Sequence, residues 1–266
     1  MRRRDFIVAS GIATGTLALP SMARSSKKSR QFIELRIYHF ASLEKQHAFE
    51  EFLQNAAIPA FNRAGARPVG VFKLLAKDNP DLKLEADTTD LYVLLPHDSA
   101  ESLADFSNRL GADTVLQNAG EAIIHAPKSD PAFVRYESSL VYAFEMFPQL
   151  KVPTEAPNRL LQLRIYESHS NERARKKIEM FNRGGELAIF ARSGMTGVFF
   201  GSTLIGSKLP SLTYMLSFPS EDEQKKAWDT FRNDSDWKRL SKADEYRDVV
   251  SNVTNLILRP AAGSQI

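Results

Sequence analysis

The feature that most constrains this chain is that it says nearly the same thing twice. Glu34-Leu35-Arg36-Ile37-Tyr38 returns, 128 residues later, as Gln162-Leu163-Arg164-Ile165-Tyr166. Phe61-Asn62-Arg63-Ala64-Gly65 is answered by Phe190-Ala191-Arg192-Ser193-Gly194, and Gly70-Val71-Phe72 by Gly197-Val198-Phe199. Leu91-Tyr92-Val93-Leu94 is answered by Thr213-Tyr214-Met215-Leu216. The order of landmarks is kept while their spacing drifts, which is the signature of duplicated units whose insertions fall in loops. A length of 266 residues holds two units of ordinary domain size, each long enough to bury a core. At 43% hydrophobic and 25% charged residues, the composition is that of a folded chain rather than a disordered one.

The start of the chain stands apart. Arg2-Arg3-Arg4-Asp5-Phe6-Ile7 leads into a short apolar run ending at Leu19, then Pro20-Ser21-Met22-Ala23. A basic start, an apolar stretch too short to span a bilayer stably and a small-x-Ala site make an export signal. Arg3-Arg4 followed by Phe6-Ile7 resembles the bacterial twin-arginine signal, with cleavage expected after Ala23. The expected location is periplasmic or secreted, with no stable membrane insertion after cleavage. Residues 24–30 form a basic linker. From position 31 onward 28 basic residues face 31 acidic ones, so the basic character of the whole chain belongs to its first 30 residues. A nucleic-acid partner is not expected of such a fold. The chain has no cysteine, which excludes disulfides, thiolate catalysis and cysteine-held metal.

Each half reads as strand, helix, strand, strand, helix, strand. In the first half, alternation over 32–38 marks a strand, and Ser42 caps a helix carrying Phe49, Phe52 and Leu53, which Pro59 should end or kink. Strands follow at 69–75 and 91–95. A capped helix begins near Ser99, another covers 113–124, and a strand at 134–144 closes the half. The second half repeats the plan: a strand over 160–166, a helix over 172–192 weakened by Gly184-Gly185, strands over 197–201 and 213–218, a helix opened by Ser220 and carrying Trp228 and Phe231, and a closing strand over 249–258. The units are therefore 31–147 and 158–260, joined by a Pro-rich linker at 148–157 and followed by a tail at 261–266. The order βαββαβ gives an α+β fold of two ferredoxin-like units, each an antiparallel sheet with helices on one face. The bare faces would pack together as a pseudo-dimeric α+β barrel inside one chain, and a higher oligomer is left open.

The strand Glu34-Leu35-Arg36-Ile37-Tyr38, the helix reaching Pro59-Ala60-Phe61 and the segment Trp228-x-x-Phe231-Arg232-x-Asp234-x-x-Trp237 together resemble the NIPSNAP family of the dimeric α+β barrel group. The first half departs from this pattern, with Phe106 and Asn108–Asp113 where the second has its two tryptophans. The resemblance implies the fold but little chemistry, because the family has no well-established reaction.

Strand alternation puts Glu34, Arg36 and Tyr38 on one face and Leu35 and Ile37 on the other; Gln162, Arg164 and Tyr166 share a face likewise. The apolar face is expected against the helices, which sends the Arg/Tyr face into the space between the sheets. A buried guanidinium without compensation costs several kcal/mol. Glu34 is a ready partner for Arg36. In the second half that position is Gln162, so Arg164 either takes an acid from another strand, Glu137 or Glu145, or is available to an anionic ligand. Arg36, Tyr38, His39, Arg164 and Tyr166 are the candidate binding residues, with the Arg164 end favoured.

His39, His47, His97, His125 and His169 form no metal-ligand spacing, and no acidic cluster has one, so no metal and no cofactor is assigned; each histidine reads as a surface or capping residue. Nucleotide-loop and nucleophile-elbow motifs are missing. Trp228, Phe231 and Trp237 read as core. The expected function is binding of a small, anionic or partly apolar molecule between the sheets. The alternatives are a cofactor-independent oxygenase or isomerase using Tyr, Arg and His in the barrel cavity, and, because related barrels include haem proteins, a haem-binding barrel with a single axial histidine.

Overall fold

The computed structural model of the protein describes residues 29–266. The expected export signal (1–23) and nearly all of the basic linker lie outside the described residues. The first half contains β1 (Phe32–His39), α1 (Leu43–Phe52), α2 (Ile58–Arg63), β2 (Gly70–Leu74), β3 (Asp90–His97), α3 (Ala100–Ala112), α4 (Thr114–Ala119), α5 (Glu121–Ile124) and β4 (Arg135–Ala143). The second contains β5 (Leu160–Glu167), α6 (Asn171–Asn182), α7 (Glu186–Arg192), β6 (Thr196–Ile205), β7 (Ser211–Phe218), α8 (Glu221–Asn233), α9 (Ser235–Leu240) and β8 (Asn252–Pro260).

Local chemistry sets the helix boundaries. Ser42, Ser99, Ser170 and Ser220 are N-caps, each hydroxyl accepting a backbone N–H three residues on. At Ser99 the reciprocal half of the capping box comes from the Ser102 hydroxyl. Pro59 does not end its helix: the chain passes through a π-helical stretch, Leu53–Ala57, and resumes as α2 with Pro59 in its first turn, the π stretch lying where the proline removes a helical donor. The expected helix over 172–192 is two helices, broken at Gly184-Gly185, where Gly185 takes a φ of +95° that a side chain would strain. The expected helix over 113–124 likewise breaks at Gly120.

One of the echoed segments has a structural reason. Arg63 at the end of α2 pairs with Asp113, the N-cap of α4, at 2.7 Å; Arg192 at the end of α7 pairs with Asp234, the N-cap of α9, at 2.6 Å. In both halves an arginine leaving one helix fixes the carboxylate that starts another.

All eight strands form one closed antiparallel barrel in the order β1-β3-β2-β8-β5-β7-β6-β4. Each half supplies four neighbouring strands, β4-β1-β3-β2 and β8-β5-β7-β6, and the halves are stitched edge to edge, β2 to β8 and β4 to β6. The expected face-to-face packing of two separate sheets is thus replaced by hydrogen-bonded closure, which leaves no strand edge unpaired.

The expected assignment of the strand faces is inverted. Leu35 and Leu163 point inward, into a cluster with Ile33, Phe72, Leu94 and Met215 drawn from both halves and fully buried. The barrel interior is therefore packed with apolar side chains, and the reading of a ligand between the sheets is corrected with it. Arg36, Tyr38, Arg164 and Tyr166 point outward, into the layer between barrel and helices. Tyr38 packs there with Phe49, Leu53 and Phe106, and Tyr166 with Phe181, Phe190 and Phe231. The reason is solvation. The interior, packed with apolar side chains, offers a charge no partner, whereas the helix layer supplies donors and acceptors to Arg, Glu and Gln.

Candidate functional site

The two repeated strands place the same side chains in two very different surroundings. In the first half Arg36 Nε donates to Glu34 Oε1 at 2.8 Å and Nη2 to Oε2 at 3.0 Å, a two-pronged pair. Ser138 on β4 donates to the same carboxylate at 2.7 Å, and His97 Nε2 lies 3.4 Å away, an electrostatic contact without hydrogen-bond alignment. Burial opposes ionisation of Glu34, but His97, Arg36 and Ser138 outweigh it and lower its pKa to about 2. Phe106 on α3 covers Arg36 at 5.7 Å, and Tyr38 accepts from Arg36 Nη1 at 3.4 Å, its own hydroxyl pKa raised by burial. The guanidinium and carboxylate of this network satisfy each other, while His97 Nε2 stays buried without a hydrogen-bond partner.

In the second half Gln162 replaces Glu34, and its amide is fully engaged. Oε1 accepts from Trp228 Nε1 at 2.7 Å and from Gln224 at 3.1 Å, while Nε2 donates to Asn255 at 2.7 Å. An amide cannot neutralise a guanidinium, and this one has no acceptor left for it. Arg164 has no ion pair with any described residue, and its Nε is buried without a hydrogen-bond partner. Two aromatic rings hold it instead: its guanidinium carbon lies 4.7 Å from the Trp228 ring and 5.2 Å from the Tyr166 ring. Glu137, one expected partner, lies on β4 against His39 at 3.5 Å.

Arg164 and Tyr166 line a cleft of about 460 Å3 together with Gln162, Trp228, Trp237 and Glu186. The floor is β5 and β8, and the walls come from α7, α8 and α9. Tyr166 accepts a 2.8 Å hydrogen bond from Tyr214, and burial raises the pKa of both phenols, Tyr214 strongly, so both stay neutral. Glu186 is paired at 2.7 Å with Lys177, both fully buried; burial raises the Glu186 carboxyl against the pull of Lys177. Arg232 at the cleft edge is paired with Asp229. Arg164 is thus the one cation among the described lining residues with no acid of its own.

The structure brings Arg164 and Tyr166 together in this cleft, and Arg36 and Tyr38 in the closed network of the first half. His39 belongs to neither. At the end of β1 its Nδ1 meets Asp90 at 2.8 Å, a half-exposed pair at the barrel rim. His97, expected as a surface or capping residue, is buried with its ring edge-on to Phe106 at 5.0 Å. Trp228 and Trp237, read as core, do pack against the second-half core and also form half-buried walls of the cleft; Glu186, Lys177 and Asn255 carry no sequence signal of their own. The pointer to the tryptophans was the difference between the copies, since both lie where the second half departs from the first.

Residues 161–265 match the NIPSNAP family model. No curated protein matches the chain. Among solved structures, a candidate monooxygenase from Fusobacterium nucleatum aligns over 88% of this chain and 93% of its own with a TM-score of 0.58 at 9% identity. A candidate monooxygenase from Lactobacillus acidophilus aligns over 88% and 95% with a TM-score of 0.57 at 11% identity. A NIPSNAP-like domain protein from Burkholderia xenovorans aligns over 41% of this chain and 90% of its own, at 19% identity and a TM-score of 0.38. At these identities the two longer alignments establish a shared barrel fold.

Proposed function

We propose that this chain, whose second half is a NIPSNAP domain, binds a small organic anion at Arg164 in the cleft between its barrel and helices. The reading takes the barrel as two fused βαββαβ units, of which only the second keeps an open site. One observation carries it: the arginine that is paired with Glu34 in one copy stands beside Gln162 in the other, buried at Nε and unpartnered. A part-buried guanidinium with one buried, unpartnered N–H and no ion pair gains when a ligand supplies the missing charge. The test is calorimetric titration with aliphatic, aromatic and phosphorylated anions. Binding that Arg164→Met abolishes, at an unchanged melting temperature, supports the reading. Absence of anion binding, or binding indifferent to Arg164→Met, overturns it.

A second reading has its own observation. The Tyr214–Tyr166 hydroxyl pair ends beside Arg164, an arrangement suited to passing a proton to a substrate oxygen while the guanidinium stabilises developing negative charge. Two proteins of the same fold are named as candidate monooxygenases, which agrees with a cofactor-independent oxygenase. Oxygen uptake or isomerisation of a bound anion, lost in Tyr166→Phe with binding retained, would establish catalysis; a ligand recovered unchanged leaves a binding protein. We also read Arg3-Arg4 and the run to Ala23 as an export signal, so that the cleft would meet its ligand outside the cytoplasm.

A further inference from the structure

We infer that the anion is a singly charged carboxylate carried on a planar aromatic ring; this rests on the anion-binding reading above. The charge argument comes first. Lys177 and Glu186 neutralise each other, Arg232 is neutralised by Asp229, and Arg164 alone is left with one uncompensated positive charge. A monoanion balances the cleft. A phosphate dianion would bring one negative charge more than Arg164 offers, beside the buried Lys177–Glu186 pair, and gains less from the site than a monoanion does.

The shape of the cation comes next. Trp228 and Tyr166 crowd the guanidinium carbon at 4.7 and 5.2 Å, so what remains for a ligand is its planar edge of N–H donors. Two parallel donors match the two oxygens of a carboxylate. The walls then select the body of the ligand. Trp228 is fixed in place by its 2.7 Å hydrogen bond to Gln162, and Trp237 packs on Phe231 with ring centroids 4.4 Å apart. Both present ring surface to a cleft whose volume of about 460 Å3 suits one or two fused rings. Pre-positioned aromatic walls lose no side-chain freedom on binding and reward a flat apolar ligand more than a puckered one.

The chain reports on this site unaided, because its two tryptophans are Trp228 and Trp237. Benzoate, 2-naphthoate, cyclohexanecarboxylate, phenyl phosphate and benzamide are titrated into the full exported protein by calorimetry, with tryptophan emission followed in parallel. Benzoate or 2-naphthoate should bind at one site, change the emission and bind at least tenfold more tightly than the other three. Arg164→Lys, which keeps the charge but loses the planar fork, should weaken that binding at least tenfold, and it provides the reading should Arg164→Met fold poorly. If cyclohexanecarboxylate or phenyl phosphate binds as tightly through Arg164, the aromatic monocarboxylate is overturned while the anion site stands. If the probes bind equally well to wild type and both Arg164 variants, both proposals fall. If none of the probes binds, the aromatic carboxylate is overturned, and the wider anion titration decides the site.

Discussion

Gln162 Oε1 accepts hydrogen bonds from both Trp228 and Gln224, at 2.7 and 3.1 Å, so the residue that replaces an acid has no acceptor to offer the arginine two positions along its own strand. The open cleft follows from this relationship. The tryptophan is held off the guanidinium's edge by the amide, and the amide is occupied by the tryptophan.

Restoring the acid should close the site. In Gln162→Glu the new carboxylate can reach Arg164 as Glu34 reaches Arg36, and ligand affinity should fall at least tenfold without loss of stability. Calorimetry with thermal denaturation checks this. Unchanged affinity would mean that Arg164 does not meet the ligand.

The reciprocal change should do harm. Glu34→Gln leaves Arg36 facing an amide beneath Phe106 and should cost about 3 kcal/mol by denaturant unfolding, the scale for breaking a buried pair. The pH dependence has a definite sign. Glu34 has a folded pKa of about 2 against an ordinary 4.5, so its stabilising contribution is complete above pH 4.5 and is lost as the pH falls toward 2. In the glutamine variant that loss should disappear from the acid limb of the stability curve.

Lys177 and Glu186 should behave as a unit. Lys177→Met strands a carboxylate whose burial is complete, at a cost of about 3–5 kcal/mol, whereas Lys177→Met combined with Glu186→Leu should lie much nearer to wild type. Additive losses in the double variant would show that the pair is not coupled. The thermal melts of the three variants decide it.

Export should depend on the paired arginines. Replacing Arg3 and Arg4 together by lysine should leave full-length protein in the cytoplasm, while the unaltered chain yields a mature form beginning at Arg24, as intact-mass measurement of cell fractions will read. Mature protein outside the cytoplasm in both cases would remove twin-arginine transport from the account.

Much of the architecture was legible because period-2 alternation and serine caps are local signals. The strands at 32–38 and 160–166 and the caps at Ser42 and Ser220 stand where the sequence puts them, while the capping box read over Asp98–Glu101 lies one residue later, at Ser99 and Ser102. The candidate site was half legible: the pairing of Arg36 with Glu34 follows from their spacing on one strand face, whereas comparison of the copies left Arg164 open between an acid from another strand and none. What alternation cannot say is which face of a strand meets the helices. It divides Leu35 from Arg36 without ordering them, and that order is fixed by barrel closure, a long-range pairing of β2 with β8 and β4 with β6. Lys177 and Glu186 were illegible for a similar reason: nine residues apart on two helices broken at Gly184-Gly185, they meet only through that break.

Closure of the barrel within a single polypeptide has an evolutionary consequence. In a symmetric homodimer every substitution is written into both subunits at once, so an exchange that opens one cleft must open its mate and forfeit whatever that mate contributed to holding the assembly together. A fused chain is released from that constraint. Its two halves are free to differ, and at the matched strand positions they do, with Glu34 in one and Gln162 in the other.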